Sequence, residues 1–147
     1  MRNDKVEIRV KRLSPDARIP ETAKPGDVAF DLFSVVDYDL EPGNRFPVPT
    51  GLAMEIHTGY EGQVRPRSGL AFRKGITTLN TPGTIDSGYR GEVKVILINH
   101  GHETFHIEKG MRIAQLAIRS VPKVSFAEVD ALADSERGTD GFGSTGL

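Results

Sequence analysis

NTPGTIDSGYRGEVKVILIN, residues 80–99, decides how the chain is read. It holds a strand end, a turn-rich segment and a second strand-like run, the pattern of a β-hairpin. Gly83, Gly88 and Gly91 are expected to supply positive-φ or close-approach positions in the turn, while Pro82 fixes one φ and removes a backbone donor. One acid (Asp86), one aromatic (Tyr89) and one amide (Asn80) lie within it. Two readings fit these residues. A tight ribbon that sets a carboxylate near an aromatic makes a small-molecule pocket with Asp86 as its base. Alternatively, Asp86 caps its own turn, as aspartate readily does. On this stretch alone the second reading is the simpler.

Working outward, 147 residues suffice for one domain with a full core. A hydrophobic share of 37% and a charged share of 27% suit a soluble globular protein. The longest apolar run, Val95 to Ile98, is far too short to cross a bilayer, and Met1 to Leu13 alternates charged and apolar groups, unlike the apolar core of a signal peptide. There is no cysteine, which excludes disulfides, a cysteine nucleophile and thiolate zinc sites, so a cytoplasmic location is expected. Formal net charge is −1 with dispersed basic residues, which argues against a protein that tracks a nucleic-acid backbone. Any phosphate must then be held by local groups.

Lys5 to Leu13 (KVEIRVKRL) has the period of a half-buried strand, and Ser14 to Pro25 reads as loop. Asp27 to Val36 (DVAFDLFSVV) is the next expected strand. Asp31, between Phe30 and Leu32, sits there either on a solvated face or holding a metal-bound water. Arg45 to Ile56 reads as two short β runs split by Pro47 and Pro49. PRSGLAF, residues 66–72, reads as a strand end followed by a short helical turn. The Ser68–Gly69 pair offers free N–H groups and a hydroxyl and Arg67 a fixed charge, so the segment is either an anion site or an ordinary helix start.

Gly91 to Asn99 has apolar side chains on both faces from Val95 onward, so its second face needs a cover, for which a partner subunit is suited. His100, His102 and His106 lie close in sequence, but NHGHE reads as a turn with surface histidines and not as a metal site. In the strand-like GMRIAQLAIRS, residues 110–120, Gln115 sits among apolar and small residues and needs a hydrogen-bond partner. The glycine- and hydroxyl-rich tail, Arg137 to Leu147, has the composition of a disordered end and lacks the lysine of a P-loop. A mobile strip of this kind could still close over a nucleotide, with Phe142 stacking on a base and Arg137, Ser144 and Thr145 holding phosphate. Many short strands with Pro and Gly turns and no internal repeat predict an all-β barrel or sandwich.

In this order, AFDLFS (29–34), PRSGLA (66–71), GTIDSGYRGEV (83–93), GMRIAQL (110–116) and RGTDGFGSTG (137–146) closely resemble the five motifs of the trimeric dUTP diphosphatase (dUTPase) family. Each motif is weak alone; five in the right order and spacing are specific. The resemblance implies a jelly-roll-like β-barrel or β-clip with one short helix. It also implies a homotrimer with active sites at the subunit interfaces. Residues 1–136 would form the β domain and residues 137–147 an arm closing over a neighbouring subunit's site. The implied reaction splits dUTP into dUMP and pyrophosphate with Mg²⁺ on the triphosphate, which keeps uracil out of DNA and supplies dUMP for thymidylate synthesis.

By the same resemblance, Asp86 matches the base that activates the attacking water, and Asp31 the acid that holds Mg²⁺ through water. Arg67, Ser68, Gly69 and Gln115 match phosphate contacts. Asn80, the main chain from Thr84 through Ile85 to Asp86, and Lys94 match a uracil-reading wall. Tyr89 matches the aromatic under the deoxyribose. Arg137, Phe142, Gly143, Ser144 and Thr145 match the closing arm. The chain departs from the family pattern at Ala29, Gly88, Met111 and Asp140. Two rival readings are a dCTP deaminase of the same fold and a non-catalytic nucleotide-binding regulator. The deaminases typically carry a second serine where Gly69 stands.

Overall fold

The computed structural model of the chain describes residues 5–146. Ten strands and one helix follow one another: β1 (Arg9–Arg12), β2 (Phe30–Phe33), β3 (Tyr38–Leu40), β4 (Arg45–Glu55), β5 (Tyr60–Arg65), α1 (Ser68–Lys74), β6 (Ile76–Thr78), β7 (Gly83–Ile85), β8 (Glu92–Asn99), β9 (Phe105–Ile107) and β10 (Arg112–Ser120). They form two four-stranded sheets, ordered β1-β4-β8-β6 and β2-β10-β5-β7, and a two-stranded ribbon, β3-β9. Every pairing is antiparallel, and the sheets do not close on themselves. The expected all-β class with one short helix is what the chain adopts.

The core lies between the inner faces of the two large sheets. Along β8, Val93, Val95, Leu97 and Asn99 are buried, whereas Lys94 is exposed and Ile96 and Ile98 are half-buried. Period-2 alternation sends the first set inward, against Leu32, Val48, Leu52, Ile113 and Leu116. Ile96 and Ile98 leave the outer face partly apolar. Asn99 is fully buried, yet it donates to the Leu40 and Glu103 carbonyls at 2.9 Å each and accepts from the Gly101 amide at 2.8 Å. Those three bonds offset its desolvation and pin the β8–β9 corner.

Three local expectations need correction. Residues 80–99 are not one hairpin. β7 pairs with β5, while β8 lies between β4 and β6, so the stretch passes from one sheet to the other. The antiparallel partner of β8 on that side is β6, with Thr78 opposite Leu97, and residues 79–91 are an excursion that lends a three-residue strand to the second sheet. None of Gly83, Gly88 and Gly91 has a positive φ. Gly83 and Gly91 are close-approach positions instead: a Cβ on Gly91 would lie 2.5 Å from the Tyr89 hydroxyl, and one on Gly83 3.2 Å from the Asn80 amide, whereas Gly88 faces open space.

Residues 45–55 form one long strand, not two runs. Pro47 and Pro49 face Ile96 and Lys94 of β8, but β1 pairs with β4 only from Leu52 to Glu55. The Pro49 carbonyl accepts from the Val35 amide at 3.1 Å, away from β8, so the proline nitrogens point to the side where β1 is missing and no ladder bond is lost. Asp31, lastly, does not lie on a solvated face.

Candidate active site

β2 and β10 build the first half of the site. Asp31 is only 9% exposed. Its Oδ1 lies 3.6 Å from Arg67 Nε and its Oδ2 3.4 Å from Arg112 Nε, so both oxygens are turned toward guanidinium groups. Arg112 reaches it because β10 is irregular here: Arg112 faces Phe33 and Ala114 faces Leu32, which leaves Ile113 as an extra residue. Such a bulge bends a strand and re-aims the side chain beside it. Gln115 stands directly between Asp31 of β2 and Arg65 of β5 in the ladder. Its Nε2 donates to the Pro66 carbonyl at 3.0 Å, the partner that its apolar setting demanded.

Arg67 is the N-cap of α1, with extended backbone and no side-chain cap, so Ser68 and Gly69 enter the first turn with their N–H groups uncapped. Gly75 ends the helix at φ 69° and donates to the Ala71 carbonyl; a Cβ there would lie 2.7 Å from the Gly101 nitrogen, so only glycine fits. A cavity of about 440 Å³ opens among these groups, lined by Ala29, Asp31, Arg65, Arg67, Ser68, Gly69 and Gln115.

The second half lies on the excursion between β6 and β8. A cavity of about 340 Å³ is lined there by Asn80, Thr84, Ile85, Asp86, Tyr89 and Lys94, with Pro47, Val64 and Ile96 as apolar wall. Asp86 begins a turn that its carbonyl closes by accepting from the Tyr89 amide at 3.1 Å. Its side chain takes no part. Among the described residues the Asp86 carboxylate makes no hydrogen bond and no ion pair, so the reading in which it caps its own turn is set aside. Tyr89 donates its hydroxyl proton to the Glu92 carbonyl at 2.9 Å, which holds the ring against the start of β8.

The two cavities share no lining residue. Arg65 lines one and Val64 the other, and adjacent strand residues point to opposite faces of a sheet. The sequence-derived candidates are therefore brought together as two separate groups. A third group, the tail, joins neither. Residues 121–146 form no strand, and Phe142, at φ 53°, is fully exposed. Arg137 Nε donates to the carbonyl of Asp140 at 3.0 Å, and the Ser144 amide to that of Gly141 at 3.0 Å, so the tail turns locally without touching the sheets. Val124, Phe126, Val129 and Leu132, between it and β10, are exposed as well.

Sequence reasoning missed Arg112 as a partner of Asp31, although it lies inside GMRIAQL, and missed Arg65 as a cavity wall. His100 and His102 are exposed, and among the described residues no three His, Asp or Glu side chains gather to cage a metal. His106 faces Asp39 across the β3-β9 ribbon at 2.6 Å, and that hydrogen bond, reinforced by the carboxylate's charge, raises its pKa above 6.5. No helix among the described residues is long and apolar enough to cross a membrane.

Compared with known proteins, residues 15–146 match the sequence model of the dUTPase family. The deoxyuridine 5'-triphosphate nucleotidohydrolase of Clostridium tetani is 50% identical over 139 residues, covering 95% of this chain and 96% of that protein. That of Nautilia profundicola is 54% identical over 141 residues, covering 96% and 99%. Among solved structures, a mutant of the Staphylococcus bacteriophage 80alpha dUTPase with dUpNHpp superposes with a TM-score of 0.87 at 30% identity, over 96% of this chain and 99% of that one. A mutant dUTPase of phage phi11 of S. aureus, in which a structural Mg(II) ion is coordinated, superposes with a TM-score of 0.78 at 25% identity, over 85% and 97%. The chain belongs to the dUTPase family.

Proposed function

We propose that this dUTP diphosphatase hydrolyses dUTP to dUMP and pyrophosphate by in-line attack of water on the α-phosphorus, with Asp86 as the base. One observation carries the reading: Asp86 lines the second cavity, and among the described residues its carboxylate makes no hydrogen bond and no ion pair. An acid in that state is free to accept a hydrogen bond from water and to orient it. As the water attacks, its proton passes to Asp86 and the pyrophosphate oxygen leaves from the opposite side. Chemistry of this kind depends mostly on position and charge, and the arginines of the first cavity supply the charge.

In the second cavity, Asn80 and Lys94 with the main chain from Thr84 to Asp86 read the uracil edge. The narrow wall rejects the thymine methyl by clash, while cytosine leaves the polar groups mispaired, the costlier error. Tyr89 lies under the deoxyribose and leaves no room for a 2′-hydroxyl. In the first cavity, Arg67, Ser68, Gly69 and Gln115 hold the phosphates. Oxygen donors suit Mg²⁺, and with both Asp31 oxygens turned to guanidinium groups, Asp31 would hold the ion through water. When bound, Mg²⁺ offsets triphosphate charge. Arg137, Phe142, Gly143, Ser144 and Thr145 close over the nucleotide as an arm.

One chain keeps the two groups in separate cavities, leaves its tail unpacked and exposes part of the outer face of β8. All three features support a homotrimer in which each site takes the Asp86 turn from one subunit, the Asp31–Arg67 cluster from a second, and an arm crossing between subunits. Cytoplasmic removal of dUTP, with dUMP as the useful product, is the role this activity fits. The test is pyrophosphate release from dUTP, dTTP, dCTP and UTP with Mg²⁺. Release from dUTP alone supports the reading. Ammonia from dCTP would make the chain a deaminase, and no turnover of any substrate would leave a nucleotide-binding regulator.

A further inference from the structure

The turn that carries Asp86 is tied to the sheet by charges outside both cavities. Arg90 Nη1 donates to the Ser87 carbonyl at 2.8 Å and to the Tyr89 carbonyl at 3.2 Å, while its Nη2 lies 3.7 Å from Glu55 Oε1. The other oxygen of Glu55 lies 2.9 Å from Arg9 Nη1, and Arg9 and Glu55 face each other in the β1–β4 ladder. A slip in β4 makes this possible. The β4–β8 ladder runs to Pro49 opposite Lys94 and resumes with Ala53 opposite Glu92. Thr50, inside the slip, donates to the Val93 carbonyl at 2.6 Å and fixes it. Glu55, two residues beyond Ala53 and on the same side of the strand, is thereby set beside the end of the 86–91 connection, level with Arg90.

We infer that Arg90 is a positioning residue for Asp86, clamping the turn to Glu55 so that the carboxylate stays aimed into the cavity. Among the described residues, the turn's remaining ties are the Tyr89 amide to the Asp86 carbonyl and the Tyr89 hydroxyl to the Glu92 carbonyl, both within the excursion and its junction with β8. Among the described residues, Arg90 supplies the turn's only side-chain ion pair to β4. A planar guanidinium can serve two carbonyls and a carboxylate at once; an ammonium does so without a fixed plane. Exposed ion pairs contribute little to stability, so the clamp acts on geometry and leaves the fold nearly unchanged. A small misplacement of a catalytic group is enough to slow the chemical step.

This inference rests on Asp86 being the base. In full-length protein with dUTP and Mg²⁺, Arg90→Ala should lower kcat about tenfold while KM changes less than about twofold. Its melting temperature should stay within about 2 °C. Arg90→Lys should recover part of the loss. Glu55→Gln, which leaves both carbonyl bonds in place, should cost about threefold in kcat and decides the matter should Arg90→Ala fail to fold. In an Asp86→Asn background, Arg90→Ala should reduce the residual turnover no further, because the group it positions is gone. Unchanged kcat in both Arg90→Ala and Glu55→Gln, a loss confined to KM, or full additivity with Asp86→Asn would overturn the clamp. High turnover in Asp86→Asn itself would instead remove the catalytic reading, whatever Arg90 does.

Discussion

The two cavities hold their acids in opposite ways. Asp31 is buried within a sheet, with its oxygens turned to Arg67 and, across a bulge in β10, to Arg112, whereas Asp86 is exposed on a connection between sheets and unpaired among the described residues. The first acid is part of the architecture. The second is available for chemistry. A buried carboxylate beside two partly exposed guanidinium groups orders its cavity, and its removal takes away their counter-charge. An unpaired exposed carboxylate contributes little to folding, and its value lies in what it meets when a ligand arrives.

Asp86 separates the two acids most clearly. Asp86→Asn should lower kcat by about a thousandfold or more, with analogue binding retained and stability within about 0.5 kcal/mol of the parent by urea denaturation. Near-normal turnover would end the contrast. Next in size, deletion of residues 137–147 should cost about a hundredfold in kcat/KM while circular dichroism and melting stay unchanged, since the tail packs on neither sheet. Unaltered kinetics would remove the arm from the site.

Asp31→Asn should differ in kind from Asp86→Asn. Besides losing activity it should lower the unfolding free energy by about 1–3 kcal/mol, because Arg67 and Arg112 lose their counter-charge. Equal stability of the two variants would erase the distinction. The smallest effect lies outside both cavities, at the exposed His106–Asp39 pair. The folded-state pKa of His106 is raised, so its contribution to stability is fully present below pH 6.5 and fades as pH rises through the raised value. By NMR, the titration midpoint of His106 should lie above 6.5 and fall toward it in Asp39→Asn, with dUTP turnover untouched.

Much of the fold was legible because alternation is local. The buried Val93, Val95 and Leu97 against the half-exposed Ile96 and Ile98 can be read from β8 itself, as can the need of Gln115 for a partner. Which strand pairs with which is not local. Gly83–Ile85 is too short to reveal that it joins the sheet of β5, and Pro47 and Pro49 look like breaks until the missing stretch of β1 beside them is known. The site shows the same division. Its residue types stand in the sequence as five ordered motifs, but the Asp31–Arg112 pair depends on a bulge at Ile113, and Arg90 meets Glu55 only through the slip in β4.

The proposed site combines the Asp86 turn of one chain with the Asp31–Arg67 cluster of another. Two inactive variants, Asp86→Asn and Arg67→Ala, test it when unfolded together and refolded as mixed oligomers, with dUTP hydrolysis as the readout. Sites shared between chains predict recovery of about a quarter of parental turnover, since half of the turns and half of the clusters are intact and they combine at random. No recovery above that of the separate variants, with mixing verified by mass, would mean that each chain builds its site alone.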